Sequence, residues 1–212
     1  MRAKDRMLAA SKSLVKIDGI RTDADVALLN RLKPDFAGFV FSASDRRISP
    51  EAAAALSGDL GFSIRPVGVF ADEAEERVAQ VAQDCGLHAV QLHGREDAAY
   101  VARLRKLLPA GVKIWKVVRM DPGVKPDLAG ADMLYLDGVV PDAGRTFDWD
   151  AADEVGTPYM LAGGLSPKNL KDALERLHPY AVDAGSGVED ENGILNASKI
   201  TAFLSIAREA RP

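Results

Sequence analysis

"LVKIDGIRTDADVALLNRL", residues 14–32, carries the pattern that decides the fold. A β-type run from Leu14 to Ile17 delivers Asp18 onto a glycine, so the strand ends just as a carboxylate appears. Thr22 or Asp23 then caps a helix over 23–32, in which Val26, Leu29 and Leu32 keep an apolar stripe at helical spacing. Strand, polar turn and helix make one βα unit. Within it, Asp18 is either a catalytic base or a cap for the turn that follows.

The unit repeats along the chain. β-type runs at 14–18, 36–41, 65–70, 88–92, 113–118, 132–137, 158–162 and 181–184 alternate with helical stretches at 23–32, 50–60, 72–85, 96–108, 123–130, 149–155, 167–177 and 196–209. No Pro/Gly/Ser-rich linker splits them, and such alternation argues for a parallel sheet lined by helices. Ser49 before Pro50, and Ser166 before Pro167, each set a capping hydroxyl ahead of a proline at the first helical position, where its missing N–H costs nothing. "FAGFVF" and "PVGVF" are apolar on both faces, as strands are when helices cover one side and packed side chains fill the other. An open doubly wound sheet alternates in the same way, and the count of eight strands favours closure. The expectation is an α/β fold, a single (βα)8 TIM barrel over 14–212, with a short N-terminal extension over 1–13.

Composition narrows the function. The chain has 212 residues, 47% apolar and 27% charged, ordinary values for one globular core. A net charge of -4 gives no electrostatic case for nucleic acid or an anionic membrane, which need a dominant basic face. Cys85 is the single cysteine and has no internal disulfide partner, and His88, His93 and His178 lack close-set ligand partners, so no metal is expected. The opening "MRAKDRMLAASK" lacks the apolar stretch of a signal peptide, which fits a cytoplasmic protein. Trp115 and Trp149 read as packing residues, and no dinucleotide loop or P-loop spacing is present.

A barrel of this kind works at the C-terminal ends of its strands. The residues falling there are chemically coherent: Asp18, then Arg46 and Arg47 in "SASDRR", His93 in "QLHG", Asp137 in "YLDG", and the turns "AGG" and "GSG". Gly163, Gly164, Gly185, Ser186 and Gly187 suit a phosphate, because residues without Cβ let several N–H groups approach an anion. "SGVED" reads as a short extra helix opening at that anion. Asp18 and Asp137, on the first and sixth strands, face each other across the ring, a separation that suits a base and an acid on a sugar phosphate. Both are also placed to cap the turns after them. Arg46 offers a planar fork for a substrate carboxylate, and His93 either polarises a substrate group or bonds a neighbouring loop. The expected partner is a small phosphorylated molecule.

"VKIDGI", "GFVF" followed by "RRISPE", "VQLHG", "LYLDG", "TFDWD", "LAGGLSPKN" and "VDAGSGVE" stand in the order seen in the phosphoribosylanthranilate isomerases of tryptophan biosynthesis, which the chain resembles from about Lys16 to its last helix. The resemblance implies an Amadori rearrangement of N-(5-phosphoribosyl)anthranilate to 1-(2-carboxyphenylamino)-1-deoxyribulose 5-phosphate, without metal or organic cofactor, by a monomer or homodimer. It implies that Asp137 is the general acid that opens the furanose, that Arg46 meets the anthranilate carboxylate, and that Gly163, Gly164, Ser186 and Gly187 hold the phosphate. Four places depart from the family pattern. The usual K-I-C-G on strand one, whose thiolate takes the proton from sugar C2, is here K-I-D-G. The glycine run before "FDW" is reduced to Gly144, with Pro141 and Asp142 added. "AGSGVE" has one serine where two are usual, and "NGILNASKI" lacks a customary Lys-Asp pair. The isomerase of histidine biosynthesis resembles this chain in carrying Asp at strand one, so an isomerase of that type, or a barrel that binds a phosphorylated ligand without turnover, stands as the alternative.

Overall fold

The computed structural model describes residues 13–120, 124–138, 152 and 155–209. Eight strands run β1 (Leu14–Asp18), β2 (Phe36–Val40), β3 (Arg65–Phe70), β4 (Ala89–Leu92), β5 (Lys113–Arg119), β6 (Met133–Asp137), β7 (Tyr159–Leu161) and β8 (Ala181–Ala184), ordered as sequenced in a closed barrel. Between them lie α1 (Asp23–Leu32), α2 (Pro50–Gly58), α3 (Glu75–Asp84), α4 (Ala98–Leu107), α5 (Leu170–Leu177) and, last, α6 (Ala197–Glu209). The described residues fall into two compact units, one of 17–117 with 128–133, the other of 13–16, 118–127 and 134–209.

In the first unit, β2, β3, β4 and β5 pair in parallel with matched register, Val40 beside Val69, Val69 beside Gln91 and Gln91 beside Trp115. Side chains of one parity therefore share a face. Phe36 on β2 and Trp115 on β5 meet edge to face, ring centroids 5.1 Å apart, although two strands separate them in the sheet. Contact between strands that are not neighbours places that parity inside the curve, together with Gln91 and His93. Trp115 is thus a packing residue, and such a ring pair adds about 0.5–1.5 kcal/mol beyond its buried area. The opposite parity carries Lys116 and lies beneath the helices and loops.

In the second unit, β6, β7 and β8 pair in parallel, Tyr135 beside Met160 and Met160 beside Ala181. A polar layer lies among these apolar strands. Lys16 is fully buried and donates to Asp183 at 3.4 Å, while the Tyr135 hydroxyl donates to the other carboxylate oxygen. A buried cation and anion cost several kcal/mol each to dehydrate, and pairing in this way is what makes them tolerable.

Several helix expectations change, among them the start of α3, which falls at Glu75 and not at 72. Residues 124–130 are irregular chain ending in a turn, not a helix: Pro126 removes an N–H and disfavours helical geometry at Lys125, and Ala129 and Gly130 both take positive φ. The helix expected from Pro167 begins at Leu170, because the Asn169 side chain accepts the Ser166 N–H at 2.8 Å and donates to the Gly164 carbonyl at 3.0 Å, holding 166–169 as a turn of its own. The helix expected at "SGVED" is a single 3-10 turn, Ser186–Val188. The helix expected at 149–155, the loop holding Pro141, Asp142 and Gly144, and most of the N-terminal extension lie outside the described residues.

Candidate active site

In the first unit, Asp18 ends β1 half-buried. The chain then crosses β2, with the N–H groups of Gly19 and Ile20 both donating to the Gly38 carbonyl, at 3.0 and 3.1 Å. The helix that follows is capped by another residue. Thr22 accepts the Asp25 N–H at 3.2 Å, and Asp25 accepts the N–H groups of Thr22 and Arg21, both at 3.0 Å. That reciprocal box meets the needs of the α1 N-terminus. Asp18 is not the cap of α1.

The loop after β2 folds over Ser44, whose hydroxyl accepts the Arg46 N–H at 3.1 Å and whose carbonyl accepts the Arg47 N–H at 3.1 Å. Arg21 ties it to the β1 loop by donating to the Asp45 carbonyl at 3.1 Å. Arg46 is half-buried and Arg47 exposed. His93 follows β4 with its N–H still in the sheet, donating to the Phe70 carbonyl at 2.8 Å, and the residue is exposed. His178, exposed, ends α5 in the left-handed region, and His88 is half-buried at the start of β4.

In the second unit, Asp137 ends β6, and its carbonyl accepts the Met120 N–H at 2.9 Å. The end of β7 is shaped around it. Gly163 has φ +90°, and a Cβ there would overlap the Gly138 nitrogen and lie 2.7 Å from Asp137 Oδ1. Only glycine permits both the backbone angle and the approach. Gly187 answers to a similar demand, since a Cβ on it would overlap the Leu165 carbonyl. The turns after β7 and β8 therefore touch through backbone, Leu165 against Gly187. Gly164, Gly185 and Ser186 complete them, with Ser186 exposed. Sequence reasoning weighed these glycines between tight turns and a phosphate site; that two of them are required by close packing was hidden, because a close approach leaves no mark but the glycine itself.

Sequence reasoning also missed Glu96 and Lys116. Glu96 accepts from Lys116 at 2.9 Å beneath the β4 loop, both side chains nearly buried. The one available signal was a lysine in the middle of the apolar run "KIWKVV".

A family model, that of N-(5'-phosphoribosyl)anthranilate (PRA) isomerase, matches the chain over residues 15–205. The chain belongs to the PRA isomerase family. A relative of that name from Acetivibrio thermocellus is 40% identical, the match covering 92% of this chain and 96% of the relative. The crystal structure of phosphoribosyl anthranilate isomerase from Thermus thermophilus superposes with a TM-score of 0.79 at 34% identity, covering 91% of this chain and 97% of that one. A structure of phosphoribosyl anthranilate isomerase in complex with reduced 1-(o-carboxyphenylamino)-1-deoxyribulose 5-phosphate matches with a TM-score of 0.77 at 31% identity, covering 93% of this chain and 100% of that one.

Proposed function

We propose that this protein converts N-(5-phosphoribosyl)anthranilate to 1-(2-carboxyphenylamino)-1-deoxyribulose 5-phosphate, with Asp137 as general acid and Asp18 as general base. The observation that carries the reading is the family match across residues 15–205, which takes in every strand from β1 to β8. Asp137 gives a proton to the furanose ring oxygen, the C1–O bond breaks, and the nitrogen lone pair forms the imine. Asp18 then takes the proton from C2, the electrons move toward nitrogen, and the resulting enolamine rearranges to the ketone. No atom is gained or lost, and no electron acceptor is needed.

Cys85 supports the assignment of the base to Asp18. It is the single cysteine of the chain, it is buried, and its thiol is pushed up to about 11 by burial and by Asp84 and Glu51. A thiol of that kind supplies almost no thiolate at neutral pH. The proton-accepting role that a strand-one cysteine fills in relatives has no second cysteine to fall to. Arg46 is assigned to the anthranilate carboxylate, His93 to a neighbouring substrate group, and Gly163, Gly164, Gly185, Ser186 and Gly187 to the phosphate. The ligand is accordingly a small phosphorylated molecule, and a cytoplasmic setting suits a biosynthetic isomerase.

The test is the decay of substrate fluorescence with purified protein, coupled to an enzyme that consumes the product so that spontaneous breakdown is excluded. Turnover is expected. Tight binding of a product analogue without turnover would instead identify a phosphate-binding barrel, and turnover of the histidine-pathway aminoaldose alone would identify the related isomerase.

A further inference from the structure

Glu96 stands three residues after His93, and its side chain is 1% exposed. A carboxylate taken out of water needs hydrogen bonds on both oxygens and a counter-charge. Glu96 finds them in three elements. Oε1 accepts the Asp72 N–H at 2.8 Å, and Oε2 accepts the Gly94 N–H and Lys116 Nζ, each at 2.9 Å. Lys116 also donates to the Gly94 carbonyl at 2.7 Å. Both polar backbone groups of the residue next to His93 are therefore held by one buried ion pair.

The loop after β3 answers in kind. Asp72 Oδ1 accepts the Arg95 N–H at 2.8 Å, so the two loops exchange main-chain bonds through their carboxylates. Asp72 itself has φ +52°, a conformation that a non-glycine residue seldom holds without support. A Cβ on Gly94 would lie 2.6 Å from the Asp72 nitrogen and 2.8 Å from Glu96 Oε1, so the two loops are packed to contact. The His93 backbone belongs to the sheet, and the direction of the chain just past it is set by Glu96 and Lys116.

We propose that Glu96, braced by Lys116, is the positioning residue of His93: the pair fixes the peptide that follows the histidine and so aims the imidazole at the substrate. The inference rests on the assignment of His93 to substrate binding. Glu96 acts through His93 and does not itself touch substrate.

The test is steady-state kinetics of the full chain with Glu96→Gln, which keeps the shape of the side chain and removes the charge. KM is expected to rise about tenfold with kcat less affected, as misplacement of a binding group does. Glu96→Asp, which retains the charge on a shorter stem, is expected to recover part of the loss. In a His93→Asn background, Glu96→Gln is expected to add little, because the group it aims is gone. A fall in Tm with KM unchanged overturns the proposal, and so does the same KM penalty with and without His93. Should the parent protein give no turnover, the functional reading fails on that result alone. Positioning is then decided by the amide exchange of Gly94: about tenfold faster exchange in Glu96→Gln supports it, and equal rates overturn it.

Discussion

Past β3 and β4 the chain is held by charge, with Glu96, Lys116 and Asp72 taking main-chain N–H and carbonyl groups in both loops. Past β7 and β8 it is held by the absence of side chains, with Gly163 against Asp137 and Gly187 against Leu165. The first arrangement fixes the peptide that follows His93. The second lets backbone approach backbone, Gly163 against Gly138 and Gly187 against Leu165. Strand ends are thus held in two ways, by buried charge in the first unit and by close backbone contact in the second.

The largest effect expected from perturbing either region is on chemistry in the glycine-built one. Asp137→Asn removes the proposed acid while nearly preserving its volume beside Gly163, and kcat is expected to fall by a factor of about 10²–10⁴ with an unchanged circular-dichroism melt. A near-normal rate would leave that region with a binding role only. Next, Lys116→Met leaves Glu96 buried without its counter-charge, a cost of about 3–5 kcal/mol that urea unfolding would read directly. An unchanged midpoint would mean that charge does not hold the β4 loop. Gly187→Ala drives a methyl group into the Leu165 carbonyl and is expected to cost about 1–3 kcal/mol, together with weaker binding of a phosphorylated product analogue measured by calorimetry. Loss of stability with binding intact would separate packing from phosphate recognition.

The smallest effect lies at the foot of β4. Burial, with a smaller contribution from Arg65 and Lys113, holds the His88 imidazole below its usual range, so the unfolded chain takes up a proton first as pH falls. The stability carried by neutral His88 is complete above the unfolded value of about 6.5 and is lost as pH drops through the lower folded value. Urea midpoints measured above pH 7 and near pH 5 are expected to fall more for the parent than for His88→Gln. Equal falls would remove His88 from the account.

Much of the barrel was readable because its signals are local. Thr22, Ser49 and the apolar runs mark caps and strands within a few residues, and β1, α1, β3 and β8 have the bounds that the sequence implies. The departures have physical causes of longer reach. Asn169 reaches back to Gly164 and delays α5, while Pro126 and the positive φ of Ala129 leave 124–130 without a helix. The strand ends named Asp18, His93 and Asp137 from topology alone. Glu96 was invisible there, because an acid before a helix reads as a solvated first-turn residue, and only the fold brings Asp72, Gly94 and Lys116 to it. The glycines were visible but ambiguous, since a turn, a close approach and an anion site all select the same residue.

The most direct test is turnover of freshly generated phosphoribosylanthranilate by the parent protein and by Asp18→Asn, in the coupled assay. The account predicts clear turnover by the parent and its abolition in the variant, with the fold intact, as expected if a carboxylate does the work of the missing cysteine. Undiminished turnover by Asp18→Asn would contradict it.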